Sequence, residues 1–392
     1  MPKPMPGAAR DQTMLRRANE LTVLAVLRDG TPRVMRDIAD QTGLSWRTAS
    51  VVTESLEGHG WLAGTEADAG DKRLGRPARR YRFRAEAGHV AGIDIGAHAI
   101  CVYLADLAGT IVGMHRVRVS PGEPAADRLA AAEATVQAAL DAAQLGNADV
   151  WAAAVGTTGI VGLDGVVTKS AVLPGWTGVD LGGRMGALLG RPVTVANDSN
   201  LAVLAEHWRG HRADTMIYLL VGVRLGTGLV IRGQLHRGAA GAAGEIGEIG
   251  EIGWSDAAQR LAAAAPGHLA DLDGAARHVF AAARHQDPAA VAAVDRFATD
   301  IARGLTAMVL TIDPDVVVLG GGFAYAADLL MPRIDQRLGE TCPHSPRLAT
   351  SRLGDEAVGL GAVRLALDTV EQRITGLSSG TPLTPAAISA SA

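Results

Sequence analysis

The chain of 392 residues is long enough for about two or three domains, and 48% hydrophobic residues with 48 glycines and 4% aromatics suit an α/β protein. No apolar run approaches the roughly 18 to 20 residues that a membrane helix needs, and the first ten residues contain no secretion signal, so the sequence predicts a cytoplasmic protein without membrane contact. The net charge of −4 is divided unevenly. Residues 1–86 hold 15 basic and 11 acidic residues, whereas the rest holds 22 and 30, so the two parts are expected to have different partners.

The first domain is expected at residues 14–86, after a disordered tail at residues 1–13. Apolar residues recur at helical spacing between Met14 and Arg28, which predicts an amphipathic helix that ends at Asp29 and Gly30. A second helix is predicted at about 34–41.

The segment after the second helix has helix-turn-helix spacing. Gly43 can take the left-handed conformation of a turn, and Ser45 is placed to cap a third helix. Ala39 is small where two helices would cross, while Ala49 and Val52 occupy core positions of the third helix. We therefore expect the third helix to enter the major groove of DNA.

The outward face at the start of this third helix supplies candidate DNA contacts. Helix N-terminal side chains of this kind reach phosphate oxygens and base edges, and Arg47 is expected to carry sequence information. The predicted contacts are Ser45, Trp46, Arg47, Thr48 and Ser50.

Two short strands around residues 61–63 and 81–83 predict a wing. The stretch from Lys72 to Arg84 holds seven basic and no acidic residues. We expect Arg73, Arg76 and Arg79 to contact DNA phosphates, and a solvated basic loop is the alternative. The first domain is thus predicted to be a winged helix-turn-helix.

The second domain is expected at residues 87–375, followed by a disordered tail at 376–392 rich in Ser, Thr, Pro and Ala. Strands alternate with helices, and an alanine-rich helix is predicted at 125–143. The pattern of strand, glycine turn and strand in GIDIG (residues 92–96) and its surroundings recurs at residues 215–231. This recurrence predicts an internally duplicated fold with a cleft between its halves.

Several motifs together resemble the ROK family, named for repressors, open reading frames and kinases, and in particular its transcriptional regulators. The resemblance implies a duplicated actin-like (RNase H-like, sugar kinase) fold of two lobes behind the winged helix. The matching motifs are GIDIG at 92–96, VANDSNLAVLAE at 195–206, RGAAGAAGEIG at 237–247, DPDVVVLGGG at 313–322 and GDEAVGLGAVRLA at 354–366.

The resemblance implies that a sugar binds in the cleft. Asp198 matches the aspartate that deprotonates the sugar hydroxyl in the kinases, although the same carboxylate can bind a sugar without reacting, or can cap the following helix. Glu245 matches a sugar-binding glutamate, and Asn197 and Glu248 are further candidate ligands. Glu248 and Glu251 belong to the repeat GEIGEIGEIGW, which is either a set of ligands or a slipped repeat that lengthens a loop. Extra carboxylates favour a cationic or polyhydroxylated ligand.

Three departures from the kinases argue against phosphoryl transfer. Ala97 and His98 stand where the kinases have glycine and threonine, and a second phosphate loop reads Gly-Val-Arg at 222–224 instead of Gly-Thr-Gly. The zinc motif of many relatives is missing, because residues 255–280 contain no cysteine. Cys101 and Cys342 lack metal-ligand spacing and are interpreted as buried or unpaired thiols. We therefore expect no metal, no cofactor and no catalytic residue.

These observations predict a transcriptional regulator, more specifically a repressor, that binds an operator in double-stranded DNA and a carbohydrate effector. A homodimer or homotetramer would suit a palindromic site. The alternatives are an ATP-dependent sugar kinase that has acquired a DNA-binding domain, and a DNA-binding regulator without a small-molecule ligand.

Overall fold

The structure, a computed structural model, describes residues 6–65, 78–267, 269 and 271–390, with side chains from residue 12 onward. The helices are α1 Pro6–Leu27, α2 Met35–Thr42, α3 Trp46–Gly58, α4 Ala125–Ala143, α5 Leu181–Leu189, α6 Asp198–Arg209, α7 Ala257–Ala262, α8 Leu272–Arg284, α9 Pro288–Ile312, α10 Ala327–Thr341, α11 Ala357–Gly376 and α12 Pro385–Ala390. Among these described residues, no helix is both long and apolar enough to cross a membrane.

The strands alternate with helices in the second domain, as predicted. They are β1 Arg33–Val34, β2 Leu62–Thr65, β3 Arg80–Phe83, β4 His89–Ile95, β5 Ala99–Asp106, β6 Ile111–Arg118, β7 Val150–Thr157, β8 Ile160–Val161, β9 Val167–Lys169, β10 Val193–Asn197, β11 Met216–Val221, β12 Leu225–Ile231, β13 Gln234–Leu235, β14 Val316–Gly320 and β15 Arg347–Thr350.

The first domain is a winged helix-turn-helix, as predicted. Helices α1, α2 and α3 pack together beside a small sheet of order β1-β3-β2. Gly43 ends α2 with a φ of 68°, a left-handed conformation that favours glycine, and the hydroxyl of Ser45 caps α3 by accepting from the Thr48 N–H at 3.2 Å. The loop between β2 and β3, at residues 66–77, lies outside the described residues.

The second domain contains the predicted duplication. Its two five-stranded sheets have the orders β10-β7-β4-β5-β6 and β13-β12-β11-β14-β15. In each sheet the first strand in sequence pairs antiparallel with the second and parallel with a later strand, because β4 contacts β5 and β7 as β11 contacts β12 and β14. The same topology occurs twice, which confirms a two-lobe α/β fold with a cleft between the lobes.

Helices α6 and α11 pack closely against each other between the two sheets. Helix α6 lies on β11 and β12, and α11 lies on β4 and β7. A Cβ atom at Gly361 would stand 1.9 Å from the carbonyl oxygen of Leu201, so only glycine permits this crossing. The two helices therefore connect the lobes through direct backbone contact.

The winged helix shares a hydrophobic core with the first lobe. Leu27 and Phe83 of the first domain belong to the same buried cluster as Leu367 and Ile374 of α11. Trp61, fully buried, stacks on Phe83 and meets Trp151 of β7 edge-on, each with ring centroids 6.0 Å apart. The first domain is therefore packed onto the lobe rather than held only by a linker.

The prediction of a disordered tail at residues 1–13 is wrong for residues 6–13, which are helical, while residues 1–5 lie outside the described residues. Pro6 begins α1, where a proline loses no helical hydrogen bond and has the right φ. The alanines and arginine that follow favour a helix. Pro6 therefore starts the helix instead of preventing it.

The prediction of a disordered tail at residues 376–392 is also wrong, because this segment packs on the winged helix through residue 390 and only residues 391 and 392 lie outside the described residues. Leu383, just before α12, and Ile388, within α12, are fully buried in the shared core. The indole N–H of Trp61 donates a buried hydrogen bond of 3.0 Å to the Leu383 carbonyl oxygen. Two apolar side chains thus order a segment whose composition alone is typical of disorder.

Candidate functional site

A cavity between the two lobes brings together all four residues predicted as sugar ligands. It is lined by Asn197, Asp198, Glu245 and Glu248, with apolar surface contributed by Val172 among others. Asn197 ends β10 and Asp198 begins α6, so these two side chains stand where a central strand opens toward the second lobe. Strands β11, β12 and β13 of the second sheet lie between positions 198 and 245 in the sequence, and the fold brings the two residues into one cavity.

The cap of α6 is Asn197 and not Asp198. The Asn197 side-chain oxygen accepts from the Asn200 N–H at 2.8 Å, which satisfies one of the free amides of the first turn. Asp198 Oδ1 accepts from the Ser199 N–H at 2.7 Å, and the carboxylate lines the cavity. The cap interpretation of Asp198 is therefore wrong, and its carboxylate faces the site.

Glu245 is fixed by the same asparagine. The Asn197 Nδ2 group donates to Glu245 Oε1 at 3.0 Å, so one amide both caps the helix and orients the carboxylate. The Thr227 hydroxyl donates to the Gly244 carbonyl at 2.6 Å, which holds the preceding turn against β12. The site side chains are thereby preorganised before a ligand arrives.

The Glu248 carboxylate forms an ion pair with Lys169 at the end of β9. Both side chains are about half exposed, at 45% and 54%, and both line the cavity. Sequence reasoning missed Lys169, because nothing in the sequence links a short strand to a loop 79 positions later. The pair closes part of the cavity's edge.

The repeat that contains Glu248 forms two consecutive 3-10 turns that end at Gly253, with a φ of 77°. Glu251 is exposed and lies outside the cavity lining, while its carbonyl oxygen accepts from Arg303 at 3.4 Å. Glu248 thus lines the cavity, whereas Glu251 is not part of its lining.

The cleft residues Asp198 and Glu245 and the nearby Asp94 have carboxyl groups whose pKa values are raised. Burial raises the pKa of Asp198 to about 6. Burial, reinforced by the Asp198 charge, raises the pKa of Glu245 to about 7 and that of Asp94 to about 7. Asp94, at the end of β4, was not predicted as a site residue, although the acid within GIDIG was the signal that marked it.

Because the pKa of Asp94 is raised, the effect of Asp94→Asn on stability is expected to depend on pH. Because its pKa in the folded chain lies above the unfolded value of about 4, the folded state binds more protons between about pH 4 and 7, and stability is lost as the pH rises through this window. We expect Asp94→Asn to raise the free energy of unfolding by about 1–3 kcal/mol more at pH 8 than at pH 5. Urea unfolding at both pH values measures this difference.

Asp127→Asn is the control, because Asp127 is exposed on α4 of the same lobe and should give no comparable gain at pH 8. An equal effect of Asp94→Asn at pH 5 and pH 8 would contradict the assigned electrostatics.

A buried arginine of α4 stabilises the first glycine turn, at Gly96. Arg128 of α4 is fully buried and donates to the carbonyl oxygens of Gly96 at 2.6 Å and Ser120 at 2.5 Å. Ala97 is half-buried and His98 is exposed. In the second turn, Arg224 is exposed at the cavity and makes a long contact of 3.4 Å with the Ser255 carbonyl oxygen.

The candidate DNA-binding residues of α3 fall into two groups. The Ser45 and Thr48 hydroxyls bond to each other at 2.9 Å, and the Ser50 hydroxyl donates to Glu54 at 3.0 Å. Trp46 is 64% exposed. Arg47 is also exposed, and it has no ion-pair partner among the residues that the structure describes. Trp46 and Arg47 are therefore the side chains available for contact.

The predicted wing contacts are only partly described. Arg73 and Arg76 lie outside the described residues. Arg79 pairs with Glu57 of α3 at 2.6 Å and lies over the Tyr81 ring at 5.3 Å. Its guanidinium thus connects the base of the wing to α3, a role that the sequence did not indicate.

Both cysteines are free and buried, as predicted. Within the described ranges, no three His, Cys, Asp or Glu side chains are grouped as a metal ion requires. The expectation that the protein uses no metal stays a prediction.

Comparison with known proteins places this geometry in a family, because a sequence model of the ROK family matches residues 90–252 and 254–369. A putative xylose repressor of Caldicellulosiruptor sp. (strain Rt8B.4) is 24% identical over 389 residues, 91% of this chain and 97% of the relative. A solved ROK family transcriptional regulator, a homologue of the E. coli MLC protein, has a TM-score of 0.68 at 20% identity and covers 90% of this chain and 96% of its own.

A kinase of the same family also matches most of this chain. A ROK family glucokinase from Streptomyces griseus, solved with glucose and AMPPNP, has a TM-score of 0.58 at 26% identity, and the match covers 72% of this chain and 100% of the kinase. Since the family model spans well over half of the sequence, the chain belongs to the ROK family.

Proposed function

We propose that this protein is a transcriptional repressor whose winged helix-turn-helix binds an operator in double-stranded DNA and whose cleft binds a carbohydrate effector. The observation that carries the proposal is one cavity lined by Asn197, Asp198, Glu245 and Glu248 in a chain that also has a DNA-binding fold. The similarity to a putative xylose repressor over nearly the whole of both chains supports it. Such a protein works in the cytoplasm, where its operator is.

The lining of the cleft suits a polyhydroxylated ligand. Carboxylates accept hydrogen bonds from sugar hydroxyls, and the Asn197 amide both donates and accepts. Val172 and Leu225 supply apolar surface on which the carbon face of a sugar ring can lie. The glucokinase with glucose in its structure supports a sugar as the ligand class.

The contacts between helices offer a route from the cleft to DNA. Asp198 begins α6, α6 crosses α11 at Gly361, and the far end of α11 lies in the core shared with the winged helix. The route also has an ionic connection, because Arg28 of the first domain pairs with Glu371 at 2.8 Å. A ligand that favours the closed cleft would shift the population of winged-helix positions and so the operator affinity.

We propose further that the protein transfers no phosphate. The two turns that would face ATP carry Ala97, His98 and the exposed Arg224 in place of the small and hydroxyl residues that a phosphate cradle needs. A sugar kinase that has acquired a DNA-binding domain is the second candidate, favoured by the glucokinase match. A homodimer or homotetramer would pair two winged helices on a palindromic operator.

Operator recognition is tested through Arg47. We expect Arg47→Ala to reduce the preference for operator over random DNA by about tenfold or more, because a bidentate arginine–guanine contact contributes about 1–3 kcal/mol of discrimination. Gel-shift titrations with an operator selected from a random library measure it. Neutralising Arg76 together with Arg79 should instead lower affinity for all DNA and flatten its salt dependence.

Arg118→Ala is the matched control for Arg47→Ala, because Arg118 is an exposed arginine on β6, in the first lobe. If Arg47→Ala and the wing variant both left the titration unchanged, the proposed DNA surface would be wrong.

A further inference from the structure

We propose a second small-molecule site, one that binds the oxyanion group of a small phosphorylated or carboxylated compound, between the winged helix and the C-terminal segment. The site is an open cavity of about 460 Å³ lined by α1, the end of α3 and residues 379–383. It is separate from the interlobe cleft and shares no lining residue with it. The inference therefore goes beyond the proposed effector.

The charges at this cavity do not balance. Glu20, only 4% exposed, pairs with Arg16 and with Arg17, each at 3.3 Å. Two guanidinium groups thus share one carboxylate, and Glu20 is the single acid among the described residues that line the cavity. One positive charge of the two guanidinium groups is therefore not neutralised, and one of these groups, that of Arg17, is buried.

The buried part belongs to Arg17, which is 8% exposed. Its Nη2 atom donates to the carbonyl oxygen of Thr381. Its Nη1 atom is buried and finds no hydrogen-bond partner among the described residues. A charged donor without a partner costs free energy that an acceptor in the cavity would recover.

A second unsatisfied group lies on the same wall. The Nδ1 atom of His59, just after α3, is buried and also lacks a hydrogen-bond partner within the described part of the chain. In the tautomer that carries its proton on Nδ1, this ring donates a hydrogen bond. Arg17 and His59 thus each hold a buried nitrogen atom without a partner, and both residues line the same cavity beside the exposed guanidinium of Arg16.

This donor set selects an oxyanion. A guanidinium has a planar array of N–H groups that matches the oxygens of phosphate and carboxylate, and it offers no acceptor to a cation. A bound oxyanion would neutralise the spare charge and satisfy Nη1. Because Arg17 also holds Thr381, the bound group would connect α1 to the C-terminal segment that packs on the DNA-binding domain.

Isothermal titration of the full-length protein with inorganic phosphate, and separately with acetate, tests the site and distinguishes the two sources of oxygen acceptors. We expect wild type to bind at least one of them, and Arg17→Gln to weaken that binding by about tenfold or more, equivalent to about 1.4 kcal/mol. Arg36→Gln is the control, because Arg36 is an exposed arginine of the same domain and should leave binding unchanged. Sodium chloride at equal ionic strength controls for screening.

Because Arg17 is buried, His59→Gln is a second variant that keeps the Arg17–Glu20 pair and should weaken binding by a smaller factor. Crystals soaked in tungstate, a tetrahedral oxyanion with an anomalous signal, should show a peak within hydrogen-bond distance of Arg17 Nη1. Absence of binding by wild type, equal binding by Arg17→Gln in a folded state, or a tungstate peak elsewhere would each overturn the proposal.

Discussion

Leu383→Ala is expected to lower the free energy of unfolding by about 3 kcal/mol, although the residue lies in a tail whose composition predicts disorder. Its side chain is fully buried in the core that joins the winged helix to α11, and truncation would leave a cavity there. The hydrogen bond from Trp61 to the Leu383 carbonyl fixes the segment around it. Urea unfolding, followed by tryptophan fluorescence and circular dichroism, measures the change.

Leu163→Ala is the matched control, since Leu163 is 58% exposed and its truncation should change stability by no more than about 0.5 kcal/mol. Slow hydrogen exchange at residues 383–388 should accompany the effect in wild type and be lost in Leu383→Ala. If Leu383→Ala behaved like Leu163→Ala, the C-terminal segment would contribute nothing to the shared core.

The sequence predicted those elements whose signals are local and periodic. The helix-turn-helix followed from Gly43 and Ser45, which have the turn and cap chemistry that the structure shows. The duplication followed from a repeated pattern of strand, glycine turn and strand. The four cleft residues followed from the resemblance to the ROK family, because no single-residue signal would have brought positions 198 and 245 together.

What the sequence could not predict depends on tertiary partners. Leu383 and Ile388 are isolated apolar residues in the sequence, and only the hydrophobic cluster shared by the winged helix and the first lobe gives them a buried position. The sequence predicts Arg79 as a basic residue that contacts DNA phosphates, and only the structure shows its ion pair with Glu57. The pair of Lys169 and Glu248 joins two loops that have no local relation in the sequence.

Asp94 is the instructive intermediate case. Its motif was recognised, but the raised pKa of its carboxyl group depends on burial and on the charge of Asp198, which lies on a different element. The sequence identifies these acidic residues but does not give the distances between their carboxyl groups in the fold. The raised pKa values of Asp94, Asp198 and Glu245 are therefore properties of the folded cleft alone.

Asp198→Asn is expected to weaken effector binding by about 10- to 150-fold, because a hydrogen bond to a charged group contributes about 1.5–3 kcal/mol. The substitution keeps the side-chain volume and removes the charge, and the cap of α6 is untouched because Asn197 supplies it. Calorimetry against a panel of pentoses, hexoses and amino sugars measures the affinity. Operator binding without effector should stay as in wild type, whereas release by effector should need a much higher concentration.

Glu251→Gln is the matched control, since Glu251 belongs to the same glycine-rich repeat as Glu248 but lies outside the cavity lining. A coupled assay with ATP separates the candidate functions in the same samples. If wild type formed a phosphorylated sugar and Asp198→Asn did not, Asp198 would be the general base of a kinase. If wild type bound the operator but no sugar, the protein would regulate without a small-molecule ligand. The carboxylates in the cleft would then have a structural role only.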